Sequence, residues 1–311
     1  MKHSFKIVLI MLFMFLFTQL VGLAVVNQYS PEIKQITTDE NVTINVTTHN
    51  LPYGTEPDKS IEQKDYFWVI ITSLIVAVLL IFFLMKFKAE LFLRLWFLFV
   101  ITLALGITFN AFLKPLPYSS IIALAIALPL SLIKVFNRNT LVHNLTEVLI
   151  YPGIAAIFVP LLNIWSIVII FIIISIYDVY AVWHSGFMQQ MAKYQIKTLK
   201  VFSGFFIPYL GKKEKEMLEK AKNKKGKKIK IKVNVAILGG GDVVFPIMFA
   251  GVVLWAFGLW AALLISLGAT TALALLFIFS QKGKFYPAMP FISAGCFTAL
   301  ALIYLIKYVI F

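Results

Sequence analysis

Cysteine and charge are both scarce in this 311-residue chain. Cys296 is the single cysteine, which excludes an intrachain disulfide and a cysteine-based metal cluster. The four histidines include no closely spaced ligand pair such as His-Glu-x-x-His, so we expect neither a metal ion nor a cofactor. Charged residues make up only 14% of the chain, whereas about 25% is usual in soluble domains.

Apolar residues fill most of the sequence instead. The chain is 60% hydrophobic with a mean hydropathy of +0.89, and soluble chains are about 45–50% apolar. A soluble domain of this size could not bury so much apolar surface. The composition therefore predicts an all-α polytopic membrane protein embedded in the lipid bilayer, and it excludes a globular enzyme with one anchor.

Nine stretches are long and apolar enough to cross a membrane, which takes about 20 residues. They cover residues 5–26, 67–86, 91–113, 118–134, 143–161, 163–183, 234–257, 259–280 and 288–310. Pro129, Pro152 and Pro160 interrupt the fourth and fifth, which membrane helices tolerate. The first stretch follows two lysines, as a secretory signal does, but it is longer than a signal core of about 7–15 residues. We therefore expect it to be a retained span.

Positive charge is concentrated in one loop. Residues 184–233 hold fourteen Lys and three Glu, which is +11 of the net +14. This fits a cytoplasmic loop that obeys the positive-inside rule and lies near anionic lipid headgroups. No aromatic residues interleave with "KNKKGKKIKIK", so we expect no nucleic-acid partner. The loop separates a six-helix part (residues 1–183) from a three-helix part (residues 234–311).

The remaining loops set the predicted orientation. The acidic loop Asn27–Asp65, with sequons at Asn41 and Asn45, is assigned to the outside. The basic segments 1–6, 86–88, 134–138 and 281–284 are assigned to the inside with the Lys-rich loop. Lys114, in an outer turn, is discordant. The N-terminus is then cytoplasmic and the C-terminus outside the cell membrane.

Two carboxylates lie inside predicted spans, Asp178 in "IYDVYAVW" and Asp242 in "GGGDVVFP". A charged side chain near the bilayer centre costs about 2.5–3.5 kcal/mol on insertion scales, so it needs a partner or a cavity. If both spans are helical throughout, Asp178 is about 8 Å and Asp242 up to about 13 Å from their inside ends. The two spans run antiparallel, so the acids could face each other.

Such a pair suits peptide hydrolysis. Two adjacent carboxylates cannot both ionise cheaply, so they hold one proton between them near neutrality. The ionised acid takes a proton from attacking water, and the neutral acid polarises the carbonyl and assists the leaving amine.

Glycine and proline mark two further places in the chain. The run Gly239–Gly241 weakens a helix by about 1 kcal/mol per residue and lets the backbone approach an extended substrate. Close helix packing is the alternative explanation. In "YPAMP", Tyr286–Pro290, two prolines remove backbone donors, which indicates either an irregular turn or a helix start.

These motifs together resemble the GxGD intramembrane aspartyl proteases, the superfamily of presenilins and signal peptide peptidases. The match consists of Tyr177-Asp178, the Gly-x-Gly-Asp run that ends at Asp242, and a Pro-Ala-Leu-like turn, Pro287-Ala288-Met289. The motifs fall on the sixth, seventh and ninth predicted spans, in the family's order. Met289 replaces the usual Leu with an apolar side chain of similar volume.

The resemblance implies a presenilin-like fold of nine transmembrane helices and an aspartic endopeptidase that cleaves transmembrane segments of membrane proteins or signal-peptide remnants. It implies that Asp178 and Asp242 form the catalytic pair. It also implies substrate-positioning roles for six residues: Tyr177, Gly239, Gly241, Pro287, Ala288 and Met289. The orientation is that of presenilins, and the short loops resemble a compact archaeal homologue that needs no obligate partner subunits.

Other functions remain open at this stage. Intramembrane acids also mark transporters and cation channels, but the sequence has no clear internal repeat and few other such acids, Glu147 among them. A prepilin-peptidase-like protease also uses a GxGD-type acid. The acids could instead serve assembly alone, with Ser175, Tyr177 and Tyr180 as hydrogen-bond donors to Asp178.

Overall fold

A computed structural model describes residues 5–37, 43–58, 63–87, 89–137, 139–185, 202–209, 234–281 and 286–310. Within these residues the chain forms nine α-helices and two antiparallel pairs of strands. The helices are α1 (Phe5–Gln28), α2 (Gln63–Lys86), α3 (Glu90–Leu113), α4 (Ser119–Phe136), α5 (Thr140–Phe158), α6 (Ile164–Tyr180), α7 (Gly240–Phe257), α8 (Leu259–Phe279) and α9 (Met289–Ile310). The strands are β1 (Glu32–Thr37), β2 (Thr43–Thr48), β3 (Gly204–Tyr209) and β4 (Asn234–Gly239).

The helices confirm the predicted all-α polytopic membrane protein. Eight of those in the described ranges, all except α2, are long and apolar enough to cross a membrane. Helix α2 spans 24 residues and contains a shorter apolar stretch, Asp65–Ala77. Helix α1 packs against α5, α7 and α8, so the first apolar segment is part of the helical core.

Local sequence signals explain where several helices begin and end. The side chain of Asn139 caps α5 by accepting from the N–H of Leu141, and Asn163 caps α6 by accepting from the N–H of Ser166. Gly258, with φ +88°, separates α7 from α8 in a backbone conformation that favours glycine. A 3-10 turn (Val159–Leu161) ends α5, and a π-helical turn (Ala181–Ser185) follows α6.

Helix α7 lies at the centre of the packing. Its neighbours are α1, α5, α6, α8 and α9, and 67% of its apolar stretch is buried, more than in any other described span. Helices α3 and α4 form a second apolar cluster against α5. Small residues permit the closest crossings: a Cβ on Gly153 would lie 1.9 Å from the carbonyl oxygen of Ala104 on α3.

The seventh span differs from the prediction at its start. Residues 234–239, predicted as its first turns, form β4, and α7 begins only at Gly240. Strand β4 pairs with β3, with Gly204 opposite Gly239 and Tyr209 opposite Asn234. The alternating Val235 and Ile237 suit a strand, because β-branched residues favour strands, and Gly239 weakens a helix at the point where the strand ends.

Strand β3 belongs to the predicted Lys-rich loop. The rest of that loop, residues 186–201 and 210–233, lies outside the described residues, as do basic positions 1–4, 88, 138 and 282–284 and the sequon at Asn41. The predicted acidic outer loop contains the β1–β2 hairpin, and Asn45 lies in β2 opposite Gln35.

Two lysines used in the orientation argument have specific partners. Lys114 donates to the backbone carbonyl of Gln28 and lies over the ring of Tyr29, 5.1 Å from its centroid, which explains a lysine at a turn predicted to be outside. Lys134, predicted in a basic surface turn, is buried in the last turn of α4. The helix thus continues past Lys134 to Phe136, and burial of the lysine is possible because Glu147 neutralises its charge.

Candidate active site

Asp178 lies two residues before the end of α6 and is only 5% exposed. Its Oδ2 accepts a hydrogen bond of 3.0 Å from the backbone N–H of Met289, the first residue of α9. The first N–H groups of a helix have no partner inside the helix, and the positive end of the helix dipole attracts an anion. Asp178 therefore provides a hydrogen-bond acceptor for the first N–H of α9. The Pro-Ala-Met turn is the start of this helix, and its backbone faces the acid.

Asp242 is the third residue of α7, in the first turn, and is 9% exposed. It lies much closer to the start of its helix than predicted, because β4 takes the place of the first expected helical turns. Pro246, four residues later, has no N–H, so the backbone carbonyl of Asp242 lacks the usual helical donor. The backbone of Gly239 also hydrogen-bonds to the Asp242 carboxyl group.

Helices α6 and α7, which carry the two acids, pack against each other. The Asp242 carboxyl group lies within range of the charge of Asp178. Each lies at the N-terminal end of a helix, Asp242 at its own helix α7 and Asp178 at α9. Three aromatic rings, Phe171, Phe249 and Phe297, pack α6, α7 and α9 against one another about two helical turns from the acids.

The three glycines before Asp242 have different surroundings. A Cβ on Gly239 would lie 3.1 Å from Oδ2 of Asp242, and one on Gly241 would meet only Phe245 at 3.6 Å. A Cβ on Gly240 would lie 2.7 Å from Oγ of Ser203 and 2.8 Å from the hydroxyl oxygen of Tyr151, closer than real contacts allow. A side chain is therefore least well accommodated at Gly240, which occupies the variable position x of the Gly-x-Gly-Asp motif.

The other predicted site residues differ in how deeply they are buried. Pro287 and Met289 are buried and Ala288 is half-buried at the start of α9. Tyr177 is 51% exposed, in contrast to the buried Asp178 that follows it.

The donors suggested for an assembly role are engaged elsewhere. Ser175 pairs with Ser293 at 2.8 Å between hydroxyl oxygens, and Tyr180 stacks on His184. These contacts join α6 to α9 and to the turn after α6. The Asp178 carboxylate is instead hydrogen-bonded by the backbone of Met289 and Ala288.

Sequence reasoning missed several polar residues near Asp242. Gln19 of α1 is fully buried and donates to the carbonyl of Val243 at 3.1 Å. Tyr151 and Ser203 lie against Gly240. A buried glutamine in an otherwise apolar span is the signal that could have identified Gln19, because an unpaired amide in lipid is costly. In the described part of the chain, no group of three or more His, Cys, Asp or Glu residues could hold a metal ion.

Comparison with known proteins identifies the fold. Residues 42–311 match the family described as signal-peptide peptidase, presenilin aspartyl protease. The chain belongs to this family. The matched range includes both acids, the glycine run and the Pro-Ala-Met turn. A search of curated proteins finds no significant sequence match to this chain.

Two solved structures share the fold of this presenilin-family chain. Both are of a presenilin family intramembrane aspartate protease, one in a C222 and one in a P2 crystal form. Each is 15% identical, with TM-scores of 0.56 and 0.57. The alignments cover 94% and 95% of this chain and 94% and 96% of the solved chains. The likeness of fold extends over nearly the whole molecule.

Proposed function

We propose that this chain is an intramembrane aspartic endopeptidase with Asp178 and Asp242 as its catalytic pair. The observation that supports the proposal is that two buried carboxyl groups lie at the N-terminal ends of α9 and α7, with Asp242 within range of the charge of Asp178. Membership of an aspartyl protease family supports the same chemistry.

The two acids divide the reaction between them. Backbone N–H groups stabilise negative charge. Asp178 accepts from two of them, those of Met289 and Ala288, whereas Asp242 accepts from Gly239 alone, so we assign the ionised role to Asp178. Asp178 takes a proton from a water molecule while the oxygen of that water attacks the carbon of the peptide carbonyl. Protonated Asp242 donates a hydrogen bond to the carbonyl oxygen. Collapse of the tetrahedral intermediate breaks the C–N bond, and the proton held by Asp178 passes to the leaving amine.

The substrate in this proposal is a transmembrane helix that unwinds locally. A helix keeps its carbonyls in internal hydrogen bonds, so cleavage needs an extended segment. Strand β4 leads directly into α7, and its edge away from β3 can pair with such a segment. Tyr177, Gly239, Gly241, Pro287 and Ala288 are the remaining substrate-positioning candidates. The protein acts without obligate partner subunits, with the Lys-rich loop on the cytoplasmic side.

Cleavage of single-span substrates by the purified protein in detergent or liposomes tests the proposal. The wild type is expected to cleave, and Asp178→Asn and Asp242→Asn are each expected to abolish cleavage while remaining folded. Asp65→Asn is the matched control, because Asp65 is exposed at the start of α2. Substantial cleavage by either active-site variant would reject the pair. Ion flux that requires both acids and occurs without proteolysis would support a transporter instead.

A further inference from the structure

One face of α5 carries polar residues that the chemistry above does not use. His143, Asn144, Glu147 and Tyr151 recur at helical spacing and so share this face. Glu147 and Tyr151 are both 1% exposed. Buried polar groups in a membrane helix are costly unless they have partners, so the face must serve a specific contact.

The contact is with strand β3. The side-chain amide of Asn144 donates to the carbonyl of Phe206 at 2.9 Å and accepts from the N–H of Phe206 at 3.0 Å. His143 Nε2 lies 2.8 Å from the carbonyl oxygen of Gly204. Both polar backbone groups of Phe206 are thus held by one side chain, and α5 fixes the edge of β3 that does not pair with β4.

The constraint continues along the chain to Asp242. Gly204 of β3 is paired with Gly239, the last residue of β4, and α7 begins at the next residue. Asp242 follows within the first turn. Helix α5 therefore holds β3, β3 holds β4, and the end of β4 sets the position of the acid.

Tyr151 makes a second, more direct connection. Its ring packs edge-on against Phe205 of β3, with 5.8 Å between centroids. Its hydroxyl oxygen and Oγ of Ser203 would lie 2.8 and 2.7 Å from a Cβ on Gly240, so both groups pack directly against that glycine. Tyr151 thus lies between the polar face of α5 and the first turn of α7.

A buried ion pair fixes the orientation of this face. Lys134 Nζ of α4 lies 2.7 Å from Glu147 Oε1, with side chains 2% and 1% exposed. The same ammonium group lies 3.3 Å from the hydroxyl oxygen of Thr146 and 3.4 Å from Nδ1 of His143. Buried pairs seldom add net stability, and their best-attested use is to specify one arrangement of the elements that carry them. Here the pair sets the rotation of α5 relative to α4.

We propose that Asn144 and Tyr151 are positioning residues that hold Asp242 at its working place through β3, β4 and Gly240. This inference rests on the proposed function, because it assigns Asp242 a catalytic task. Neither side chain reacts; each restrains the backbone from which the acid projects. Misplacement of a reacting group by about 1 Å can reduce the rate about 100-fold.

Turnover by Tyr151→Phe is the first test. The substitution keeps the ring against Phe205 and removes only the hydroxyl group. We expect kcat to fall about 10- to 100-fold with KM within about twofold of wild type. Tyr29→Phe is the matched control: it removes a buried hydroxyl group that donates to Ile107 and Asn110 near the far end of α3. The control should lower the melting temperature and leave kcat unchanged. Equal kcat for Tyr151→Phe and wild type, or equal loss in both variants, overturns the inference.

Amide hydrogen exchange of Asn144→Ala is the second test and needs no activity. We expect faster exchange at residues 235–243, where β4 leads into α7. Thr108→Val, which removes a hydrogen bond of 2.6 Å to the carbonyl of Leu149 on the same helix α5, should leave these amides protected. Unchanged protection in Asn144→Ala, or the same loss in Thr108→Val, overturns the inference. If the wild type does not cleave, the proposed function fails, and exchange still decides whether α5 holds this segment.

Discussion

The carboxylate of Asp178 on α6 accepts a hydrogen bond of 3.0 Å from the backbone N–H of Met289, the first residue of α9. The donor belongs to the backbone, so the contact persists with Met or Leu at position 289. The side chain itself is buried in the apolar core, so the position suits an apolar residue. Pro290, next along the chain, helps to set the start of α9 at this point.

Met289→Pro removes this donor. Proline is well tolerated at the first position of a helix, so α9 should still form while Asp178 loses the donor of Met289 and keeps that of Ala288. A hydrogen bond to a charged group contributes about 1.5–3 kcal/mol, which corresponds to a loss of about 10- to 100-fold in kcat/KM. Cleavage kinetics with a single-span substrate provide the measurement.

Met289→Leu is the control for the Met289 prediction, because it changes the side chain and keeps the N–H. Its activity should stay within about twofold of wild type, since Leu and Met have similar volumes. Full activity in Met289→Pro, or equal losses in both variants, would contradict a role for the backbone donor.

Gly240 should tolerate alanine less well than Gly241 does. The added methyl group at 240 meets Ser203 and Tyr151 at less than 3 Å, and overpacking of this kind costs about 1–3 kcal/mol. At 241 the methyl group makes only an ordinary contact with Phe245, and alanine favours the helix by up to about 1 kcal/mol. Thermal unfolding in detergent compares the two variants. The reverse order of stability would contradict the packing around Gly240.

Breaking the buried pair between α4 and α5 should be costly, and removing both charges should be much less so. Glu147→Gln or Lys134→Met leaves one buried charge unpaired, at a cost of about 3–5 kcal/mol. The double variant should recover a large part of that loss, which denaturant unfolding of all four proteins measures as a double-mutant cycle. Simple addition of the two single losses would mean that the charges do not interact.

His49 should make the stability of the protein depend on pH. Its ring stacks on Trp255 of α7, with 5.3 Å between centroids. Burial lowers the pKa of His49 below its usual value, although the backbone of Tyr29 and the charge of Glu56 act in the opposite direction. The unfolded chain therefore binds this proton more readily. The contribution is fully present above about pH 6.5 and declines as the pH falls below that value.

His49→Phe tests this dependence, because it keeps an aromatic ring beside Trp255 and removes the titrating group. The difference in melting temperature between about pH 8 and about pH 5.5 should be smaller in the variant than in the wild type. An unchanged difference would assign the pH dependence to other groups.

The sequence predicted the helices well because each span depends on its own composition. The three motifs, Tyr177-Asp178, Gly-x-Gly-Asp and Pro-Ala-Met, could be recognised for the same reason, because each consists of adjacent residues. The prediction of a helix from residue 234 failed because β4 exists only through its pairing with β3, which lies on the far side of a long lysine-rich segment. Pairing between distant segments leaves little trace in one sequence.

The buried ion pair shows a second limit of sequence reasoning. A lysine at the end of an apolar segment is typical of a membrane surface, and only the fold brings Glu147, on the next helix, to within 2.7 Å of Lys134. A signal was nevertheless present. Residues 143, 144, 147 and 151 put four polar side chains on one face of an apolar helix, a pattern that lipid contact alone does not explain.

The late start of α7 bears on the fate of the products. Asp242 is third among the eighteen residues of α7, so fifteen follow it and rise about 22 Å. Under the proposed function, a substrate cut level with this residue is severed well off the midpoint of its span. One fragment keeps most of an apolar helix and stays anchored in lipid. The other keeps too few apolar residues to stay in the lipid, and it leaves on the side where β3 and β4 lie.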